Sequence, residues 1–352
     1  MSIEFSLEAR CNFASGFWWS VVSSLTAIAY RHGGERDLNR IWFKTLRGEQ
    51  ADRFEEGLRK LGIEADEPPA VKAAKYHFYS NSVGGLNMQY IRESDRKVWI
   101  RYIGPNGTYP GLAMLCMPAS QRRTIFSSWH PMNAVYLNCP RLGYVATKFT
   151  SEGDPYDEGY FYEYDHELRE DERIQFEVAH KTPEFDPAKA PKFDPANWPE
   201  ERLLKGMRNF PRDYVGKVIN VMDSMYGEQT TNFIVSKAMR CMAVQMTGAF
   251  KAQLEVSGTG LASVAEFHTR LLHCCFEEFE TTRRSGDEVE ITRSSFAPFS
   301  PDDISEHRRD SFFEFQAMAT RVMNGHVSAR RETSSTSNTE TWTLTDRKKW
   351  LW

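Results

Sequence analysis

Cysteine is scarce in this chain: six in 352 residues, at positions 11, 116, 139, 241, 274 and 275. They are too few and too irregularly spaced for a disulfide scaffold, and no CxxC pair suggests a zinc ribbon or a redox motif. A reducing compartment, and hence a cytoplasmic location, is the expectation. An excess of basic charge is also missing, since 44 Lys and Arg face 48 Asp and Glu for a formal net charge of −4. Sequence-independent phosphate binding needs the opposite balance, so nucleic acid is not an expected partner. Glycine-rich phosphate cradles are absent: Gly84-Gly85 runs into Leu86-Asn87 without a GxGxxG or GKS/T pattern, which leaves a nucleotide cofactor unsupported. The one membrane-like stretch, Phe13 to Ala29, contains several serines and a threonine. It falls short of about 20 apolar residues, so it reads as a buried helix and no membrane partner is expected.

Hydrophobic residues make up 41% of the chain and aromatic residues 13%, enough for a sizeable core at a length that suggests about two domains. Internal self-similarity gives the organisation. Ala27 to Leu61 and Val221 to Leu254 are long helical patterns that place Gly34-Glu35 opposite Gly227-Glu228. Next, AKYH (Ala74 to His77) precedes the strand-like VWIRY (Val98 to Tyr102) at the separation by which AEFH (Ala265 to His268) precedes VEITR (Val289 to Arg293), making His77 and His268 equivalent. Finally, Leu142 to Asp165 matches Asn324 to Asp346, each after a helical stretch, Arg123 to Leu137 and Arg308 to Met323. Alternation in Tyr144 to Phe149 and Tyr160 to Tyr164 around a Gly/Asp/Pro cluster reads as an antiparallel hairpin. The expected fold is α+β, two tandem diverged copies of a helices-plus-small-antiparallel-sheet module forming a pseudo-dimer.

The copies are expected at 1–178 and 214–352. The connector between them, 179–213, carries six prolines and the near-repeat PEFDP/PKFDP, so most of it is excluded from helix and central strand. Its aromatics, Phe185, Phe193, Trp198 and Phe210, suit a segment lying against the modules.

Reactive residue types concentrate in the first copy. The run GDPYDEGYF sets Asp154 and Asp157-Glu158 around a turn, where carboxylates serve as general base, cation ligand or hydrogen-bond acceptor, or simply as a solvated acidic turn. His130, placed at a helix start or kink by Pro131, is a proton-shuttle candidate, and Cys116 or Cys139 a candidate nucleophile. Trp129 and Asn133 lie one turn apart, and with Tyr160, Trp99 and His77 they form the candidate substrate-binding set. The dense aromatics suit either a plain core or the wall of a small-molecule pocket. In the second copy His273, Glu277 and Glu280 follow helical ligand spacing, but no metal ligand is assigned; a metal, or a cofactor bound without a motif, stays open. So does homo-oligomerisation.

Gly34-Glu35, Cys116 before a helix, and the segment from Leu142 through Gly153-Asp154 to Phe161 resemble the L-2-amino-thiazoline-4-carboxylic acid hydrolase family and, more distantly, 4-vinyl reductase-type ligand-binding domains. The chain departs from that pattern by being doubled and by having Tyr160 to Tyr164 where the family carries a Cys near the end of the hairpin. The resemblance implies one of two functions. One is hydrolysis of a carbon–nitrogen bond in a small cyclic or aromatic compound, a step of small-molecule catabolism. His130, Asp154 or Glu158 would then activate water or Cys116 in the first copy. The other is non-catalytic capture of a small molecule by a sensor-type module.

Overall fold

The computed structural model describes residues 4–104, 117–179, 181–333 and 339–351. Two compact units emerge, one from Ala29–Phe210 (the leading unit), the other joining Met1–Ile28 to Pro211–Trp352 (the trailing unit). Each unit has its own antiparallel-based sheet with helices beside it, which makes the fold α+β. Among the described residues no helix is long and apolar enough to cross a membrane.

The leading unit takes the second part of α1 (Leu7–Lys60), which leaves helical geometry only at Gly34 (φ 72, ψ −172). A side chain there would be strained, so glycine carries the bend. After α2 (Pro69–Val83) come β1 (Asn87–Arg92), β2 (Lys97–Ile103), α3 (Ser120–Trp129), α4 (Met132–Tyr136), β3 (Leu142–Lys148), β4 (Tyr156–Glu163) and β5 (Ile174–Phe176). Strand order is β1-β2-β4-β3-β5, antiparallel except where β5 joins β3. Proline starts α2, where a missing N–H costs nothing. Pro131 acts in the opposite way between α3 and α4: without an N–H it cannot continue the helical ladder, so the chain breaks at His130. Ala70, Ala73 and Ala74 bring α2 close to the sheet, and Val98, Ile100, Tyr144 and Phe161 complete the core beneath it.

The trailing unit holds the first part of α1, most of α5 (Glu200–Tyr226), then α6 (Glu228–Gln253), α7 (Leu261–Cys274), β6 (Phe279–Arg283), β7 (Glu288–Arg293), α8 (Glu306–Met323), β8 (Val327–Thr333) and β9 (Glu340–Asp346). Its sheet runs β6-β7-β9-β8. Gly227, with φ 78, separates α5 from α6. Glu228, the next residue, accepts a hydrogen bond from the hydroxyl of Ser305, as Glu35 does from Ser120 in the leading unit.

Three local expectations change. Each first hairpin has an edge strand, β1 or β6, that the sequence reading left out. The connector is irregular only to about residue 199. Glu200 then opens α5, which continues through Pro211 because acidic first-turn residues and long side chains favour helix up to it. The irregular part does pack on its unit: Phe193 lies against Tyr79 at 4.8 Å, and Trp198 Nε1 donates to the Lys60 carbonyl at 3.0 Å. Third, His273, Glu277 and Glu280 do not share a helix face. α7 ends at Cys274 and Phe276 turns to φ 61, which puts Glu280 in β6.

Gly159 on β4 shows how tightly the leading sheet is filled. A Cβ there would overlap the Tyr144 hydroxyl and sit 2.5 Å from the Val145 carbonyl oxygen, a backbone atom that cannot swing away. Gly159→Ala is therefore expected to destabilise the leading unit by about 1–3 kcal/mol, read from urea unfolding. An unchanged midpoint would contradict this packing.

Candidate functional site

β2 sends Val98, Ile100 and Tyr102 to the helix side of the leading sheet, and β3 and β4 send Tyr144 and Phe161 to the same side. His77 on α2 and His130 at the α3–α4 break meet there, with ring centroids 4.3 Å apart and planes 17° from parallel. Trp129 stands 4.4 Å from the His77 ring, and Tyr144 stands 4.1 Å from the His130 ring. Four of the residues singled out from the sequence, His77, Trp129, His130 and Asn133, are thus brought into one buried cluster.

Hydrogen bonding in this cluster admits one consistent set of protons. Asn133 Nδ2 donates to the His130 carbonyl at 2.9 Å, which fixes the amide orientation. The same nitrogen lies 2.9 Å from His77 Nε2, which must then accept. His77 Nδ1 therefore carries the proton and faces the Tyr102 oxygen at 3.4 Å. Tyr102 in turn donates to His130 Nε2 at 3.0 Å. Proton positions run as one chain, Asn133 to His77 to Tyr102 to His130. At the end of the chain, His130 Nδ1 feels the Phe126 carbonyl without a well-aligned hydrogen bond. Three further buried groups beside it, Trp129 Nε1, Asn133 Oδ1 and the Tyr144 hydroxyl, have no hydrogen-bond partner among the described residues.

Burial makes every member of the chain electrically neutral. It pushes His77 down to about 3 and His130 well below the usual histidine range, with His77 nearby adding to the second shift. It pushes the Tyr102 and Tyr144 hydroxyls well upward, and Asp157 adds to both shifts. Asp157 is the register partner of Tyr102. It accepts from the Thr150 N–H at 2.7 Å and hydroxyl at 2.9 Å and faces Arg122 at 3.4 Å. The expectation of a histidine titrating near neutral pH is overturned at His130 by desolvation.

The remaining candidates lie elsewhere. Glu158 points to the opposite side of the sheet, where it pairs with Arg101 and lies 3.4 Å from Lys148 Nζ. Trp99 and Tyr160 lie tilted against each other on that side, with ring centroids 4.5 Å apart, beneath Lys97. Asp154 serves its own turn by accepting from the Phe149 N–H at 2.8 Å. Cys139 is buried, which pushes its thiol up and away from thiolate character. Cys116 lies outside the described residues. Tyr102, Tyr144 and Asp157 complete the cluster; the sequence marks the two tyrosines only as strand residues and Asp157 as a turn carboxylate. Alternation from Val98 through Ile100 marks Tyr102 as core-facing, the one signal available for it.

No family model, curated protein or solved structure matches the chain. The trailing unit provides the informative comparison. Register pairs Arg293 with Glu340 across β7 and β9, and Tyr102 with Asp157 across β2 and β4. Each pair stands two residues along the strand beyond an isoleucine, Ile291 or Ile100. His268 on α7 lies 2.8 Å from Thr320 on α8 through Nε2, much as His77 meets Asn133, and burial pushes it down to about 3. The trailing unit has a cavity of about 30 Å³ lined by Arg293 and Gln316, with Trp18, Phe17, Phe296 and Phe315. That is room for roughly two waters or a few heavy atoms. Among the described residues no group of three or more His, Cys, Asp or Glu is placed to hold a metal ion.

Proposed function

We propose that this chain is a non-catalytic small-molecule-binding protein built from two diverged copies of one α+β module, with the ligand held between the helices and sheet of a copy. The duplication is supported by the shared strand order, the glycine bends at Gly34 and Gly227, and the histidines on α2 and α7.

The observation that carries the binding function is the presence in each unit of buried polar atoms without a hydrogen-bond partner among the described residues. In the leading unit they include Trp129 Nε1, Asn133 Oδ1 and the Tyr144 hydroxyl; in the trailing unit, Trp18 Nε1, Gln316 Oε1 and His268 Nδ1. Folded proteins satisfy nearly all such groups, and each one left alone costs about 1–3 kcal/mol. A ligand carrying both donors and acceptors recovers that cost, and the surrounding rings supply apolar contact.

Binding is favoured over the hydrolysis implied by the family resemblance because neutral, strongly depressed imidazoles are poor general bases near neutral pH. Of the other candidate bases, Glu158 is already engaged by Arg101 and Asp154 by the Phe149 N–H of its own turn. A panel of small aromatic and heterocyclic compounds, followed by both thermal unfolding and product formation, tests the proposal. At about 100 times its Kd a ligand should stabilise the protein by about 2.7 kcal/mol without being consumed. Turnover abolished in His130→Gln would establish an enzyme instead, and absence of any stabilising compound would remove the binding function.

A further inference from the structure

Resting on that binding function, we infer that the trailing-unit cavity recognises a neutral, planar amide group, a small carboxamide, rather than an ion. Three side chains on its wall, each at least nine-tenths buried, set this preference: Trp18 at 4% exposure, Gln316 at 8% and Arg293 at 9%.

Trp18 Nε1 is a donor without a partner, and Gln316 Oε1 is an acceptor without one. Arg293 donates through Nε to Glu340 at 2.7 Å, and its guanidinium carbon stands 4.6 Å from the centroid of the Phe296 ring on the cavity wall. The wall therefore asks for an oxygen that accepts from the indole and guanidinium N–H groups, and for an N–H that donates to Gln316. An amide presents those two functions on one rigid plane about three atoms wide, compatible with a cavity of about 30 Å³.

Charge argues against the ionic alternatives. Arg293 is already neutralised by Glu340, which also pairs with Arg331 at 3.0 Å. Glu277 adds a carboxylate to the wall, with its oxygens occupied by the Ala297 N–H at 3.0 Å and the Ser295 hydroxyl. An anionic ligand would bring an uncompensated charge beside Glu277, and a cationic one would face Arg293. A neutral amide adds no charge. Phe17, Phe296 and Phe315 offer apolar surface to the carbon atoms of a small carboxamide.

Four probes of three or four heavy atoms test the inference on the full chain by calorimetric or NMR titration: acetamide, formamide, acetone and acetate. The two amides should bind measurably. Acetone lacks the N–H and should bind three- to tenfold more weakly than acetamide, with acetate weaker still. Trp18→Phe keeps the aromatic volume while deleting the N–H, and should weaken acetamide three- to tenfold. Gln316→Leu should erase the advantage over acetone. Acetate binding more tightly than the amides, with a loss in Trp18→Phe, would overturn the amide assignment and leave the binding function standing. Amide affinities unchanged in both variants would remove this cavity as the site. Failure of all four probes to bind would count against both.

Discussion

Between pH 6.5 and about 5, the leading unit should lose about 4 kcal/mol of stability and the trailing unit about 2. The difference comes from the number of buried neutral histidines. His77 and His130 belong to the leading unit and His268 to the trailing one, and burial pushes His77 and His268 down from 6.5 to about 3 and His130 well below 6.5. The native state therefore stays unprotonated at these sites across this window, whereas the unfolded chain takes up a proton at each as pH falls below 6.5. Stability is full above that value and declines by roughly 1.4 kcal/mol per pH unit per histidine, until the folded-state value, near 3 for His77 and His268, is reached. Since domains are stable by only about 5–15 kcal/mol, this loss is a large fraction of the whole. Carboxylates protonate mostly below the window, so the slope there belongs to the histidines. Urea titrations followed by circular dichroism at several pH values should resolve two transitions that separate on acidification. His130→Gln should flatten the acid dependence of the earlier one. Pairs of curves that overlay from pH 6.5 to about 5 would show that these imidazoles are already protonated or solvated in the folded protein.

The cluster responsible was partly legible in the sequence, for identifiable reasons. Pro131 announces a helix break, so His130 was readable as a residue at a kink, and one turn of helix joined Trp129 to Asn133. His77 stands out because AKYH precedes VWIRY at the separation by which AEFH precedes VEITR. What the sequence does not carry is the side of the sheet on which a residue points when two acidic neighbours compete. Asp157 and Glu158 differ by one position, and that one step sends Asp157 to the helices and Glu158 to the opposite side. The parity is decided by register with β2, and β3 is irregular between Ala146 and Lys148, so counting along a single strand does not give it. Nor does helical spacing reveal where a helix stops: His273, Glu277 and Glu280 keep perfect spacing across a chain that has already turned at Phe276. Burial is the second missing quantity. A histidine between aromatic residues reads equally well as a proton shuttle or as a core residue, and only full enclosure separates the two.

The position of Glu158 leads to the other large expected effect. Its side chain is fully buried and accepts from Arg101, from the Thr147 hydroxyl at 3.0 Å and, more distantly, from Lys148. Arg101 spends its remaining donors on Gln89 Oε1 at 3.2 Å and the Pro183 carbonyl at 2.6 Å, tying the connector to the sheet. Such a pair is costly to break from one side, because the survivor keeps its charge in a place from which water has been removed. Glu158→Ala should therefore destabilise the leading unit by about 3–5 kcal/mol, whereas the joint replacement Arg101→Met with Glu158→Leu should restore most of that loss. A catalytic carboxylate behaves differently: Glu158→Gln, which keeps the shape, would leave stability nearly intact and abolish turnover. Under the structural role, Glu158→Gln should instead lose stability, since an amide both weakens the attraction to Arg101 and turns a donor toward Thr147 or Lys148. Urea unfolding of wild type, Glu158→Leu, Arg101→Met and their double variant, with Glu158→Gln beside them, separates the roles, because only the structural one predicts a strongly favourable coupling between the two replacements.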